Sequence, residues 1–181
     1  KKFKIPVLID EAYIEFSKIN HIGLIKKYNN LILCKTFSKM FGMAGLRIGY
    51  LVSNSNNIKI LSKTKPMYEV NSLALKYLIF QLKNKKLYEN YLNEVIKGKN
   101  FLIDILEKKN LTYINSHTNF IYIKFRKNKN SLLKIAKTNK ILLGKIITVK
   151  KNENFVRVTV DNIKIMKKLI SFINKYNKIF N

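Results

Sequence analysis

The chain has 181 residues, 47% of them hydrophobic, enough for one ordinary domain or a compact domain with an appendage, which excludes a disordered tail. A single cysteine, Cys34, excludes a disulfide framework and a cysteine-based zinc site and fits a reducing, cytoplasmic setting. The net charge of +26 would suggest nucleic acid. However, only Arg47, Arg126 and Arg157 are arginines among 36 basic residues; the other 33 are lysines, which lack the planar guanidinium fork. Together with 23 asparagines and 26 isoleucines they are the residues of A/T-rich codons. Base composition therefore accounts for the charge, and no nucleic-acid partner is expected. No apolar run approaches the roughly 20 residues of a membrane-spanning helix, so no membrane partner is expected either.

In chain order, residues 5–9 form a short apolar run ending at Asp10-Glu11, the pattern of a buried parallel strand. A second run, 31–34, leads into Lys35-Thr36-Phe37-Ser38-Lys39. A glycine-bearing loop over 40–46 precedes a third strand, 47–52. Three short strands with polar ends predict one edge of an α/β sheet. Residues 58–63 have helical spacing and stop before Pro66. From about 72 to 109 the apolar positions keep helical period over a length that predicts two helices or one kinked helix. The last third alternates: strands at 112–114 and 119–125, a short helix at 132–138, strands at 146–149 and 155–160 around a turn at 151–154, and an amphipathic helix over 162–177. The lysine- and asparagine-rich patches at 83–86 and 127–130 read as solvated turns.

The chemistry concentrates between Lys35 and Tyr50. Thr36 and Ser38 offer hydroxyls, Lys39 an ammonium and Arg47 a guanidinium, beside backbone thinned by Gly42 and Gly45. That set suits a phosphate, although no Gly-x-x-x-x-Gly-Lys-Ser/Thr string is present. His21 and His117 have no metal-spaced partners and read as structural, so no metal is expected. Cys34 reads as a small hydrophobe within a strand, and Asn119 as a turn residue.

Three blocks occur in order: Asp10-Glu11-Ala12-Tyr13, Thr36-Phe37-Ser38-Lys39 and Ala44-Gly45-Leu46-Arg47-Ile48-Gly49-Tyr50. Their order resembles the pyridoxal-phosphate-dependent aminotransferases of the aspartate-aminotransferase fold (fold type I), most closely the histidinol-phosphate aminotransferases. Thr118-Asn119-Phe120 and Phe155-Val156-Arg157-Val158-Thr159-Val160 extend the resemblance over most of the chain. It implies an α/β architecture in which 1–70 close a large cofactor-binding domain, 71–110 connect, and 111–181 form a small C-terminal α/β domain. It also implies pyridoxal 5′-phosphate as cofactor, since an aldehyde needs an amine to hold it. Lys39 would be the catalytic, Schiff-base lysine; Asp10 would face the pyridine nitrogen and Tyr13 the ring oxygen. Thr36, Ser38 and Arg47 would hold the phosphate, and Arg157 would grip the substrate carboxylate.

The activity implied is transfer of an amino group from histidinol phosphate to 2-oxoglutarate in histidine biosynthesis, by a cytoplasmic homodimer when intact. A threonine-phosphate decarboxylase or another aminotransferase of the same fold is the alternative within the class, and a non-catalytic basic binding module from a truncated gene the alternative outside it. A complete member runs to about twice this length, so the chain reads as a C-terminal part, or as one whose remainder another chain supplies. Two positions depart from the pattern. Asp161 stands where the family usually has glycine, and Lys150 and Lys151 stand near an expected second arginine that would hold a substrate phosphate.

Overall fold

The computed structural model describes residues 5–17, 19–126, 128–150 and 153–180. The chain divides into two compact units, one ending at Asn90 and one beginning at Tyr91.

In the first unit, β1 (Val7–Asp10), β2 (Leu31–Thr36) and β3 (Gly49–Ser53) form a sheet of order β1-β2-β3. β1 runs parallel to β2, with Asp10 opposite Cys34; β3 is antiparallel, with Thr36 opposite Gly49. Leu31, Ile32 and Leu33 are buried, as the apolar run of a central strand requires. The expectation of a buried first strand is corrected. The parallel pairing is present, but Val7 and Leu8 are 42% and 59% exposed, because β1 lies at the sheet edge and no described residue pairs beyond it. The third strand also begins two residues later than expected. Arg47 has φ +55°, a left-handed conformation that a strand cannot include.

Short helices follow: α1 (Ser55–Leu61), then α2 (Ser72–Lys83). Ala74 and Leu78 of α2 pack with Met43 and Ile48, with Phe37, Phe41, Leu46 and Val70 against the cluster. Burial of each large side chain in such a cluster stabilises by about 1.5–3 kcal/mol. The apolar face of α2 thus seats the loop that follows Lys39.

Next comes α3 (Lys85–Lys108), so that the 72–109 periodicity, which allows two helices or one kinked helix, is two helices. The second unit builds an antiparallel sheet of order β4-β5-β7-β6 from β4 (Tyr113–Ile114), β5 (Phe120–Phe125), β6 (Ile146–Lys150) and β7 (Glu153–Thr159). Ile121, Ile123 and Phe125 alternate inward on β5, fully buried, and Val156 of β7 joins them. α4 (Lys129–Thr138), α5 (Ile163–Lys175) and α6 (Asn177–Phe180) complete the unit. Lys127, Lys151 and Asn152, which the sequence places in turns, lie outside the described residues.

The asparagine-rich composition has a structural use here. Asn54, Asn71, Asn128 and Asn162 cap α1, α2, α4 and α5, each side chain accepting from a backbone N–H in the first turn. Asn128 explains why α4 starts three residues before its apolar pattern.

Gly98 on α3 faces the turn after β7 at such close range that a Cβ there would stand 1.8 Å from the Asp161 carbonyl oxygen. Backbone on both sides leaves no flexible end to yield. Gly98→Ala is therefore expected to destabilise the second unit by about 3 kcal/mol, read as a lower urea midpoint with unchanged slope; a midpoint within error of the parent would contradict this packing.

Candidate active site

The first unit gathers most of the candidate residues at one end of its sheet. Asp10 is the last residue of β1 and Thr36 the last of β2, so parallel pairing puts both at the carboxyl ends of adjacent strands. This is where open α/β sheets place ligands. Asp10 is exposed, its Oδ1 accepting from the Ala12 amide at 2.9 Å. That bond turns the chain into Tyr13, and the Lys39 Nζ lies 5.2 Å from the centre of the Tyr13 ring. The first and second motif blocks, far apart in sequence, thus meet through their tyrosine and lysine.

The third block joins them through backbone. The Phe37 amide donates to the Ile48 carbonyl at 3.1 Å, and the Thr36 hydroxyl donates to the same oxygen at a long 3.3 Å. The Ser38 amide donates to Thr36 Oγ1 at 3.1 Å. Arg47 closes a single helical turn, Ala44–Leu46, in its left-handed conformation, and its Nη1 donates to the Ala44 carbonyl at 2.8 Å. A non-glycine residue held there stores strain of about 1–3 kcal/mol, and such outliers cluster at ligand sites. The guanidinium is exposed and keeps further N–H donors free for an anion. A hollow of about 610 Å³ in this unit includes Arg47, Tyr50 and Val70 but none of Asp10, Tyr13, Thr36, Ser38 or Lys39.

A charged cluster that the sequence reading passed over lies behind these residues. Glu11 follows Asp10 and is only 3% exposed. Its Oε1 lies 2.7 Å from His21 Nδ1, and its Oε2 3.0 Å from Lys35 Nζ, an ion pair more than an aligned hydrogen bond. Lys35, the residue before Thr36, is also buried, with Glu15 at 3.9 Å. Burial raises the Glu15 carboxyl above the ordinary range, with a smaller push from the Glu11 charge, against its backbone hydrogen bond and Lys35. Burial likewise raises the Tyr50 phenol. Spacing gave no hint of the cluster. The one available signal is the shortage of acids, which makes two glutamates four residues apart near a strand end worth attention.

In the second unit Arg157 sits on β7 opposite Tyr122. Its guanidinium carbon lies 5.2 Å from the Phe120 ring centre, and its Nε is buried with no hydrogen-bond partner among the described residues. An orphaned donor of this kind is costly unless an anion completes it. Gly144 makes the space: its amide donates to the Arg157 carbonyl at 2.8 Å, and a Cβ there would stand 2.9 Å from that Nε. Lys99, also unforeseen, steadies the loop before Phe120 by donating to the carbonyls of Ser116 and Thr118, the latter at 3.0 Å. Burial lowers its pKa. Asn119 holds the same loop through its carbonyl, which accepts from the Val160 amide at 2.7 Å, and through its side chain on Tyr91.

An amine, a phenol and a carboxylate at the carboxyl ends of parallel strands, with hydroxyl and guanidinium donors alongside, fit an aldehyde cofactor that carries a pyridine ring and a phosphate. Ser38 supplies a hydroxyl with no hydrogen-bond partner among the described residues, and Arg47 supplies free donors. The fold is that of an aspartate-aminotransferase-like α/β lobe, and this donor set is compatible with the cofactor of that class.

Residues 1–173 match the family of class I and II aminotransferases, and the chain belongs to that family. It is 32% identical over 162 residues to the histidinol-phosphate aminotransferase of Methanosphaera stadtmanae, covering 86% of this chain and 44% of that one. To the enzyme of the same name from Caldanaerobacter subterraneus it is 37% identical over 157 residues, with the same coverage. The chain thus spans about half the length of the curated relatives it matches. Among solved structures, the histidinol-phosphate aminotransferase of Clostridium acetobutylicum superposes with a TM-score of 0.81 at 26% identity, over 96% of this chain and 54% of that one. That of Sinorhizobium meliloti, in complex with pyridoxal 5′-phosphate, gives 0.78 at 20%, over 94% and 49%. The L-threonine-O-3-phosphate decarboxylase of Porphyromonas gingivalis gives 0.75 at 21%, over 94% and 55%.

Proposed function

We propose that the protein to which this chain belongs transfers an amino group from histidinol phosphate to 2-oxoglutarate, using pyridoxal 5′-phosphate, in the cytoplasm and as a homodimer. The observation that carries the reading is the approach of Lys39 to Tyr13 at the end of the sheet, joined by Asp10 and Thr36 on adjacent strands. When bound, the cofactor supplies an electron-accepting ring that stabilises negative charge on the substrate carbon. Lys39 would hold its aldehyde through Nζ and would carry a proton for the transfer. Asp10 would hold a proton on the pyridine nitrogen, and the Tyr13 hydroxyl would donate to the ring oxygen. Thr36, Ser38 and Arg47 would bind the phosphate, and Arg157 would orient the substrate carboxylate as a two-pronged pair.

A second reading, phosphothreonine decarboxylation, is supported by the Porphyromonas fold likeness; Lys150, near the family's second arginine, would serve the phosphate of either substrate. A lysine there attracts a phosphate as a point charge and discriminates less. Lys151, the other candidate for that role, lies outside the described residues. Donor turnover separates the two. Cofactor-loaded protein given histidinol phosphate and 2-oxoglutarate is expected to form glutamate, with no carbon dioxide from phosphothreonine. Carbon dioxide release without glutamate would move the assignment to the decarboxylase, and neither product would favour the non-catalytic module.

A further inference from the structure

Three arginines survive in a lysine-dominated chain, and two of them, Arg47 and Arg157, have roles in the proposed reaction. The third, Arg126, stands just beyond β5 and lines a hollow of about 420 Å³ with Asn110, Thr112, Lys124, Lys178 and Phe180. Three cations, a hydroxyl and a carboxamide converge there. Lys124 is paired with Glu153 at 2.7 Å, while Arg126 and Lys178 have no acidic partner among the described residues. The walls are held by backbone: the Arg126 amide donates to the Ile179 carbonyl at 2.8 Å, and the Lys124 amide to the Thr112 carbonyl at 2.9 Å. Arg126, just after β5, and Lys178, in α6, are thereby presented on one concave surface. Tyr122, which faces Arg157, lies four residues back, about 13 Å along the strand. The hollow is therefore separate from the carboxylate position.

We propose that this hollow binds a small phosphate- or diphosphate-bearing molecule, with the Arg126 guanidinium as its forked donor and Lys178 as its point charge. Arginine supplies the planar geometry that phosphate oxygens accept. The volume falls within the range of small-ligand sites and suits a compact anion better than an extended polymer. The inference stands apart from the proposed transfer reaction, since it uses none of the same residues.

Calorimetric titration of inorganic diphosphate into the whole chain tests it. One saturable site is expected, weakened at least tenfold in Arg126→Gln/Lys178→Gln and several-fold in Arg126→Lys, which keeps the charge and loses the fork. Lys85→Gln/Lys86→Gln removes the same charge from the start of α3 and is expected to leave affinity within about twofold, since screening confines long-range effects at moderate salt. Arg126 and Lys178 are exposed, so the melting midpoints of these variants should match the parent. Equal weakening by both double variants would show that general positive charge alone binds the anion and would overturn the proposal. So would the absence of saturation with diphosphate, or binding of a short oligothymidylate when diphosphate does not bind.

Discussion

Lys39→Ala is expected to abolish covalent attachment of pyridoxal 5′-phosphate while leaving the fold intact. The parent protein, mixed with one equivalent of cofactor and reduced with borohydride, should carry the label on the peptide containing Lys39. Selectivity is the decisive readout, because 33 lysines compete for the aldehyde. What distinguishes Lys39 is its place: half-buried, 5.2 Å from the Tyr13 ring, in the loop that follows the carboxyl end of β2. In the variant the absorbance near the visible edge should vanish, and turnover should fall by a thousandfold or more, about the worth of a positioned acid–base group alone. The urea midpoint should barely change, since a half-buried amine with no ion-pair partner among the described residues contributes little. Label spread evenly over many lysines, or an unchanged spectrum in the variant, would remove Lys39 from the site.

Lys35→Met carries the second large effect, on stability. It leaves the Glu11 carboxylate, 3% exposed, with His21 as its remaining close partner, and removes the cation that holds the Glu15 carboxyl down. Breaking a buried pair from one side strands an uncompensated charge, which costs about 3–5 kcal/mol. Because Lys35 adjoins Thr36 and Glu11 adjoins Asp10, the pair also ties β1 to β2 where the proposed cofactor residues stand. Lys35→Arg should retain most of the stability. The double variant Glu11→Gln/Lys35→Met should lose less than the sum of its singles, since each single strands what the double removes together. Strictly additive losses in denaturant melts would show that the two groups do not interact.

The motif blocks were readable before any coordinates because their chemistry is local: hydroxyls, lysine and arginine follow one another within a strand, a turn and the next strand. The element order was equally readable, since helical and alternating periods are properties of contiguous residues. Of the two forms expected over 72–109, two helices or one kinked helix, the structure has two, α2 and α3, and the alternation of 119–125 corresponds to β5. The Glu11–Lys35–His21 cluster was not readable, because its members come from one strand and two loop positions, with no fixed spacing. The role of Gly98 was hidden for the same reason: its constraint comes from Asp161, more than sixty residues onward.

The order of the motif blocks along the chain was sufficient to show the family resemblance and the cofactor it implies, because those blocks are strings of neighbouring residues; it also singled out Lys39 as the residue to test. Burial was beyond its reach. The same apolar spelling describes Leu33, wholly enclosed, and Leu8, which stands open at the sheet edge. Only the packing of strands and helices decides which side chains lose their water and which charges must then find partners. Packing likewise left the Arg157 Nε without one among the described residues, since the energy of each buried group depends on neighbours that the linear order does not name.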